Sequence, residues 1–139
     1  MAHSLATYIA LPGTTAEAME HWHGVFGGDL KIQRYADTPL EGMSFEPDPQ
    51  AVAHATLTLP AGVIAGGDAM DSEGDYPVRG TAYSMLYTTD TPDEARDYIG
   101  KLVDGGGTMG MPFERAPWGD WYGQVFDRFG VMWAFSCAA

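Results

Sequence analysis

Cysteine and basic residues are scarce in this sequence. Cys137 is the single cysteine among 139 residues, so no disulfide can form within the chain, which favours a reducing compartment. Only 7 Lys and Arg residues oppose 19 Asp and Glu residues, and the formal net charge is -12. A chain this acidic repels the phosphates of nucleic acids and of anionic membranes. We therefore expect no nucleic-acid partner and no membrane partner.

Long apolar runs are also missing. No stretch approaches the ~20 apolar residues that cross a membrane as a helix. Residues 1–13, MAHSLATYIALPG, lack the basic start and the long apolar segment of a secretory signal. We therefore expect a soluble cytoplasmic protein. The length is compatible with a single domain, 1–139, that buries roughly two thirds of its unfolded surface without a structural metal.

Histidine is rare as well, and two of the four histidines stand close together in EHWHGVF, residues 20–26. The surrounding apolar residues have the spacing of an amphipathic helix: Ala18, Trp22, Val25 and Phe26. On such a helix His21 and His23 point roughly 200° apart, so they cannot bind one ion together. We interpret them as residues that flank the buried face of this helix, which ends at Gly27 and Gly28.

The apolar pattern of this helix recurs 77 positions later. The shift places Trp22 on Ile99, which predicts a second amphipathic helix in the second half of the chain. A threonine hydroxyl is available as N-cap before each helix, at Thr14 or Thr15 in the first half and at Thr91 in the second. The two halves therefore carry the same signals for starting and stopping a helix.

One extended segment precedes each predicted helix, and three follow it. The segments are LATYIAL, LKIQRYA, VAHATLTL and GVIAGGD in the first half, and TAYSMLYTT, GTMGMPFERA, WYGQVFD and VMWAFSC in the second. This pattern predicts an α+β fold with mixed sheets: a βαβββ module at 1–70, a polar linker at 71–79 and a second βαβββ module at 80–139. The aperiodic segment 36–50 is long for a connecting loop, and we interpret it as a gate over the ligand site.

Alternation assigns the two faces of the predicted strand 52–59. Its apolar residues share one face, which we expect to lie under the helix: Ala53, Ala55, Leu57 and Leu59. His54 and two threonines take the other face. Turns are predicted at 60–62 and 127–130, and counting back from the glycine of each turn places Tyr122 at the position that corresponds to His54. In the last strand we expect buried positions for Trp133 and Cys137.

Three segments of this organisation resemble a known superfamily. YIALPGTTAEAMEHWHGVFGGDL, VAHATLTLPAGVIAGGDA and WGDWYGQVFDRFGVMWAFS, set in paired βαβββ modules, are similar to the vicinal oxygen chelate superfamily, the glyoxalase, bleomycin-resistance and extradiol-dioxygenase group. The last segment resembles the branch labelled phosphonate-cluster protein B or 3-demethylubiquinone methyltransferase-like. The resemblance implies that the modules form a cup with the helices outside and the ligand site inside, and that the protein is a homodimer.

The resemblance also implies where a metal ion would bind. Metal-dependent relatives take His, Gln or Glu ligands from cup-facing positions on the first and last strands of each module. The corresponding positions here are Ala6, Gly66, Tyr83 and Ala134. Three of these residues lack a donor atom, whereas a divalent ion needs at least three ligands in fixed geometry. We therefore expect a metal-free site and no cofactor.

Strand alternation, combined with the resemblance, predicts the residues that line the cup. They are Tyr8, His54, Tyr83, Met85, Tyr87, Tyr122, Met132 and Trp118. This mixture of aromatic, thioether and hydrogen-bonding groups suits a small, partly apolar organic ligand. His54 is either a general base or a hydrogen-bond donor to the ligand, or a structural residue bonded to a neighbouring backbone group or tyrosine. Trp118 and Trp121 form either a stacking wall at the rim or anchors of a dimer interface.

Two functions remain open from the sequence. The first is a metal-free protein that binds a small organic molecule, in the way that resistance proteins sequester a drug. The second is a lyase, isomerase or dioxygenase that uses His54 with Tyr83 or Tyr122, or an unusual metal site. The methyltransferase label has the least support, because the glycines at 105–107 follow a helix and do not form a strand-to-helix loop for a nucleotide methyl donor.

Overall fold

The protein consists of two compact units, Met1–Tyr76 and Pro77–Ala139. The computed structural model describes residues 3–37, 48–69 and 77–138. Each unit has the element order βαβββ, with a helix packed against its own four-stranded sheet. The α+β class and the paired modules predicted from the sequence are therefore confirmed.

The first module is built on a mixed sheet. Its elements are β1 (Thr7–Leu11), α1 (Thr15–Phe26), β2 (Asp29–Arg34), a short 3-10 turn (Tyr35–Asp37), β3 (Val52–Leu59) and β4 (Gly62–Asp68). The strand order is β1-β4-β3-β2. β1 runs parallel to β4, whereas the pairs β2–β3 and β3–β4 are antiparallel, and α1 leads from β1 to β2.

The second module repeats this topology. Its elements are β5 (Met85–Thr89), α2 (Pro92–Asp104), β6 (Thr108–Arg115), β7 (Trp121–Phe126) and β8 (Met132–Cys137). The strand order is β5-β8-β7-β6, with β5 parallel to β8 and the other pairs antiparallel. Strand β6 lies at the edge of the sheet, and its pairing with β7 contains two register shifts.

Each helix covers one face of its sheet with the apolar residues that the sequence predicts. On α1, Ala18 and Trp22 are completely buried, and Leu57 of β3 is buried on the sheet side. On α2, Ile99 and Leu102 are buried in the same way. Burying a side chain of this size stabilises the fold by roughly 1.5–3 kcal/mol, so these two rows of residues supply much of the core energy of each module.

The last strand of the second module lies under α2, as expected. The ring of Phe135 lies against Tyr98 of the helix, with 6.3 Å between the centroids. Trp133 and Cys137 are buried on the same strand, which confirms both predictions. His21 is half-buried and His23 exposed, and the Nε2 atom of His23 lies 3.2 Å from the carbonyl oxygen of Gly28 at the end of α1.

The two helices begin with different caps. At α2 the predicted hydroxyl cap is present: the backbone N–H of Glu94 donates to Thr91 Oγ1 at 3.3 Å, and the N–H of Thr91 donates to the Glu94 carboxylate at 3.1 Å. At α1 the prediction is wrong, because the Thr14 side chain makes no capping bond. A remote carboxylate replaces it: the N–H of Thr15 donates to Asp68 Oδ1 at 3.1 Å.

The second oxygen of Asp68 joins the helix to the sheet. Asp68 Oδ2 accepts the backbone N–H of Val52, at the start of β3, at 2.9 Å. One carboxylate at the end of β4 therefore satisfies both the first turn of α1 and the first residue of β3. Its negative charge also lies at the positive end of the helix dipole.

The hairpin turns of the two modules differ by one residue. Leu59 pairs directly with Gly62, which leaves a two-residue turn, whereas the N–H of Asp127 donates to the carbonyl of Val131 and encloses three residues. The longer turn contains the predicted bond from Gly130 N–H to the Asp127 carbonyl, and Gly130 adopts φ 92, as the last residue of such a turn requires.

The Asp127 side chain also stabilises this turn from inside. Asp127 is 3% exposed, and its carboxylate accepts the N–H groups of Phe129 and Val131 and the indole N–H of Trp133 at 2.9–3.0 Å. The sequence indicated a turn residue only. The structure shows that the same carboxylate is the hydrogen-bond partner of the largest core side chain of β8.

Two expectations concern segments outside the described residues. Residues 71–76 of the predicted linker and residues 38–47 of the predicted gating loop lie in these segments. Within the parts of the chain that are described, no helix is both long and apolar enough to cross a bilayer.

Candidate functional site

Each sheet has one face that its own helix leaves uncovered, and we call it the open face. Cross-strand partners in a sheet point to the same side, so the register identifies the members of each face. In the first module Tyr8 pairs with Ala65, which pairs with Thr56. His54 lies two residues from Thr56 on the same strand. Tyr8 and His54 therefore share the open face, as predicted.

The rings of Tyr8 and His54 are stacked on this face. Their centroids are 5.7 Å apart and their planes differ by 20°. Gly67 on the neighbouring strand leaves the space for Tyr8, since a Cβ at Gly67 would lie 2.8 Å from the phenol oxygen. Tyr8 remains 55% exposed. The first module thus presents an aromatic ring and an imidazole side by side on its open face.

The open face of the second module carries Tyr122, Gln124 and Phe126 at alternate positions of β7. Ser136 and Met132 of β8 pair with the first and the last of these residues, so Met132 lies on the open face as predicted. Gln124 Nε2 donates to the Tyr122 hydroxyl at 3.0 Å. The phenol oxygen accepts this bond and keeps its own proton, which is available to a ligand acceptor.

Both ends of this row are bordered by side chains from outside the strands. Trp118 lies in the turn before β7, is 70% exposed and contacts Tyr122 with a centroid distance of 6.4 Å. At the other end Arg79 lies over the Phe126 ring, with Cζ 4.3 Å from the centroid. Sequence reasoning placed Arg79 in the linker and missed it. The sequence indicated little about Arg79, because it is a single basic residue in a polar, acidic segment.

Trp121, the neighbour of Trp118, lies on the helix-covered face. Its ring is stacked on Phe113 at a centroid distance of 5.8 Å, and the guanidinium of Arg96 from α2 lies 4.9 Å from it. The sequence left two interpretations of the tryptophan pair, a stacking wall at the rim or anchors of a dimer interface. Of the two tryptophans, only Trp118 lies beside the open face. The pair therefore does not form one continuous wall.

Met85 and Tyr87 lie on the helix-covered face, so the prediction that they line the open face is wrong. They pair with Trp133 and Phe135, and the Tyr87 ring lies 5.1 Å from that of Tyr98 on α2. Strand β5 carries apolar side chains on both faces, so alternation alone does not fix its phase. Leu86, which is 66% exposed, takes the open face instead.

Tyr83 lies before β5 and is 87% exposed. The prediction used this residue to set the phase of the strand, and the choice moved its neighbours to the wrong face. Burial, followed by a hydrogen bond with Tyr98, raises the pKa of Tyr87 from its ordinary value near 10 to about 12. Tyr87 is therefore a neutral, packed phenol at physiological pH.

Gly66 also lies on the helix-covered face, because a Cβ at this position would approach Met19 of α1 at 3.5 Å. The prediction that Gly66 corresponds to Ala134 is wrong because the two hairpin turns differ in length by one residue. Thr56 and Gln124 are 68 residues apart, but their partners Ala65 and Ala134 are 69 apart, since the second hairpin has the longer turn. Ala65 is thus the open-face residue that corresponds to Ala134.

The open faces of the first and last strands of each module do not fit a divalent metal ion. Their side chains are hydroxyls, apolar groups and one thioether: Tyr8, Ala10, Val63, Ala65, Gly67, Leu86, Thr88, Met132, Ala134 and Ser136. Such ions take imidazole, carboxylate or thiolate ligands. Among the described residues no three His, Cys, Asp or Glu side chains are grouped so that they could hold a metal ion.

A separate cleft of about 380 Å³ opens beside the start of α1. Two of its charged side chains are already engaged, because Arg34 donates to the Gln50 carbonyl at 2.8 Å and Asp68 accepts two backbone N–H groups. The cleft is lined by Gly13, Ala16, Arg34, Asp48, Gln50, Ala51, Val52, Asp68 and Ala69. It contains none of the residues predicted to bind ligand.

Comparison with curated proteins finds a relative of similar length. Protein YjdN of Escherichia coli (strain K12) is 25% identical over 141 residues, which cover 93% of this chain and 91% of that protein. Such identity over nearly the whole length shows that the similarity extends across both modules.

Solved structures give the same result for the fold. Protein PA1353 from Pseudomonas aeruginosa is 25% identical, with a TM-score of 0.82 over 99% of this chain and 98% of that one. A protein from Bacillus cereus described as a putative 3-demethylubiquinone-9 3-methyltransferase, PhnB protein, is 24% identical, with a TM-score of 0.74 over 98% of this chain and 100% of that one. This protein carries the label of the branch that the sequence resembles.

The sequence profile of the Glyoxalase/Bleomycin resistance protein/Dioxygenase superfamily matches residues 5–135, which include every strand and helix except the end of β8. The match agrees with the βαβββ topology of both modules and with the resemblance carried by the three sequence segments. The chain therefore belongs to the glyoxalase/bleomycin resistance protein/dioxygenase superfamily.

Proposed function

We propose that the protein binds a small, partly apolar organic molecule on the open faces of its sheets, without a metal ion. The observation that carries this proposal is the stacked pair of Tyr8 and His54. A half-exposed aromatic ring offers apolar area, and the adjacent imidazole offers a directed donor or acceptor. Ligand sites combine these two properties.

The packing around the pair supports a binding role. Gly67 leaves room for the phenol oxygen of Tyr8, and His54 is exposed rather than enclosed by the core. A histidine whose task was to stabilise the fold would be expected among buried partners. The pair is instead presented to a molecule that approaches from outside the sheet.

The test is a thermal-shift screen with aromatic carboxylates, their neutral amides, thiols and phosphonates. A ligand that binds the native state raises the melting temperature by mass action. We expect His54→Ala to keep the unliganded melting temperature and to reduce the shift caused by a ligand of the wild-type protein. His23→Ala, which removes an exposed histidine from α1, is the matched control and is expected to keep the full shift.

Two results would count against the proposal. If none of these compounds shifts the wild-type melting temperature, the open faces do not bind molecules of these classes. If His54→Ala fails to fold, His54 is structural and the argument from the stacked pair is lost.

We also propose a homodimer, as the family resemblance implies, and sedimentation velocity measures this directly.

The second candidate function is an enzyme, and the position of His54 favours one that transfers a proton. An exposed imidazole beside a phenol is placed to exchange a proton with a bound substrate. A lyase or isomerase activity would then depend on His54, with a pH dependence of the rate that His54→Ala removes. Binding without turnover of any ligand found in the screen would leave the binding protein as the remaining candidate.

A further inference from the structure

The register of the second sheet brings four oxygen-bearing side chains into one line on its open face. Tyr122 of β7 pairs with Glu114 of β6 on one side and with Ser136 of β8 on the other, and Ser136 pairs with Thr88 of β5. Paired residues point to the same face, and neighbouring strands lie about 4.8 Å apart. The line therefore crosses the whole sheet. We call it the oxygen row: Glu114, Tyr122, Ser136 and Thr88.

The fold itself does not require the two hydroxyls at one end of this row. In the first module, the register places Gly67 where the second module has Ser136, and its partner Ala10 where the second module has Thr88. Both sheets have the same strand order, with the hydroxyls in one and without them in the other. Ser136 and Thr88 are therefore open to a role other than folding.

The side chains of the row have unused hydrogen-bonding capacity. Glu114 and Thr88 are exposed, and Ser136 is half-buried. Within the part of the chain that the structure describes, these three side chains make no hydrogen bond and no ion pair. The Tyr122 oxygen accepts from Gln124, so its own proton is directed elsewhere. The row thus offers a carboxylate acceptor and three hydroxyl groups to a ligand.

An exposed indole lies beside the row. Trp118 precedes β7, is 70% exposed and lies 6.4 Å from Tyr122 between ring centroids. An indole with this exposure presents apolar area next to the oxygen atoms of the row. A molecule that covers Tyr122 therefore meets an aromatic ring and several hydrogen-bonding groups together.

The chemistry of the row discriminates between ligand groups. A ligand carboxylate near Glu114 is repelled, because both groups are negative. An ammonium group has donors only and offers no acceptor to the Tyr122 proton. A hydroxyl group both donates and accepts, so a ligand with several hydroxyls matches the carboxylate and the phenol at once.

We propose that the open face of the second module binds an uncharged, polyhydroxylated molecule that also carries an apolar ring, as aryl glycosides do. The hydroxyl groups of the ligand bond to the oxygen row, and its apolar ring packs on Trp118. The inference rests on the proposed binding function and deepens it by naming the ligand class.

The test compares two uncharged probes that share a phenyl group and a six-membered oxygen ring. Phenyl glucopyranoside carries hydroxyl groups on this ring, whereas 2-phenoxytetrahydropyran carries none. We expect the wild-type protein to bind the glucoside about tenfold more tightly, as two net hydrogen bonds imply. Because neither probe is charged, added salt should leave this ratio unchanged. Isothermal titration calorimetry measures both affinities.

Two variants assign the preference to the row without changing any charge. Ser136→Ala and Thr88→Val each remove one hydroxyl and are expected to weaken glucoside binding about threefold. The double variant should bind both probes equally, with an unchanged affinity for the ether. Thr88 is exposed on an edge strand, so Thr88→Val carries the test alone if Ser136→Ala fails to fold.

Two further variants separate the row from its surroundings. Trp118→Ala should weaken both probes by the same factor, because the indole contacts the ring that they share. Thr7→Val is the matched control for Thr88→Val: Thr7 is an exposed threonine of β1 that pairs with Ile64, which is buried under α1. This control should keep the full tenfold preference.

The possible outcomes distinguish this inference from the proposed function. If both probes bind equally well to the wild-type protein, the binding function stands and selection of hydroxyl groups is contradicted. A preference that survives in the double variant, or that disappears in Thr7→Val, contradicts the role of the oxygen row. If neither probe binds, the inference is contradicted, whereas the proposed function is decided separately by the screen of His54→Ala.

Discussion

The two helices start with the same sequence signal and are anchored in different ways. Thr91 and Glu94 cap α2 from within its own first turn, whereas the first turn of α1 depends on Asp68, 53 residues away. A local cap forms as soon as the helix forms. A remote cap requires β4 to be in place, because Asp68 is its last residue. The same sequence signal thus precedes one helix that is capped by its own first turn and one that is capped by a residue of the sheet.

This difference shows what a repeated sequence conveys. The shift of 77 residues carries the apolar face of one helix onto the other, and buried residues such as Ala18 and Ala95 correspond. Hydrogen bonding at the helix ends does not follow the shift. Apolar periodicity therefore transfers between the modules, while polar contacts depend on each module's own tertiary structure.

Removing the remote anchor should have the largest effect. Asp68→Ala leaves the buried N–H groups of Thr15 and Val52 without their acceptor, and we expect a loss of about 2–3 kcal/mol in the free energy of unfolding. Urea unfolding measures this loss, and hydrogen exchange of the two amides locates it in the first module. Asp68→Asn keeps an oxygen acceptor and should lose less. A stability unchanged in Asp68→Ala would contradict the anchoring role.

Removing the local cap should have a smaller effect. Thr91→Ala eliminates the capping bond to the Glu94 N–H, and such a loss costs about 1 kcal/mol. The matched variant Thr14→Ala occupies the corresponding position of α1, where the hydroxyl makes no capping bond, and should be close to neutral. Urea unfolding of the pair tests the contrast. Equal losses in both variants would mean that the two starts are not capped differently.

The smallest effect concerns Tyr87 and appears only at alkaline pH. Its pKa is raised to about 12, so the folded state favours the neutral phenol. This contribution is fully present below pH 10 and is lost as the pH rises from 10 towards 12. Tyr87→Phe should therefore show a weaker decline of stability across this range than the wild-type protein. The exposed Tyr83→Phe is the control, and a decline unchanged in Tyr87→Phe would argue against burial of this phenol under α2.

The fold was predictable because its main determinants are local. The apolar spacing of the helices and the turn residues at 127–130 act within a few residues, and both are confirmed. The alternation of β3 is confirmed from His54 to Leu59, but it fails at the start of the strand, where Val52 is buried and Ala53 half-buried beside a register shift. The cap of α1 could not be predicted, because nothing near Thr14 indicates that its partner is Asp68. A contact over 53 residues becomes visible only when the sheet is assembled.

The candidate site was predictable to a smaller extent. His54, Tyr8 and Tyr122 were assigned to open faces correctly, because their strands have one clearly apolar side. For β5 the pattern is ambiguous, and Tyr87 was placed on the wrong face. The position of Arg79 depends on how the segment before β5 returns over β7, and no periodic pattern describes such a segment.

The extra residue in the turn between β7 and β8 has a consequence for how the two halves can diverge. The extra residue leaves the strand pairing of both sheets in place, yet it offsets the correspondence of all later positions by one. Roles assigned by analogy between duplicated halves are trustworthy only after the pairing of the final strand has been established.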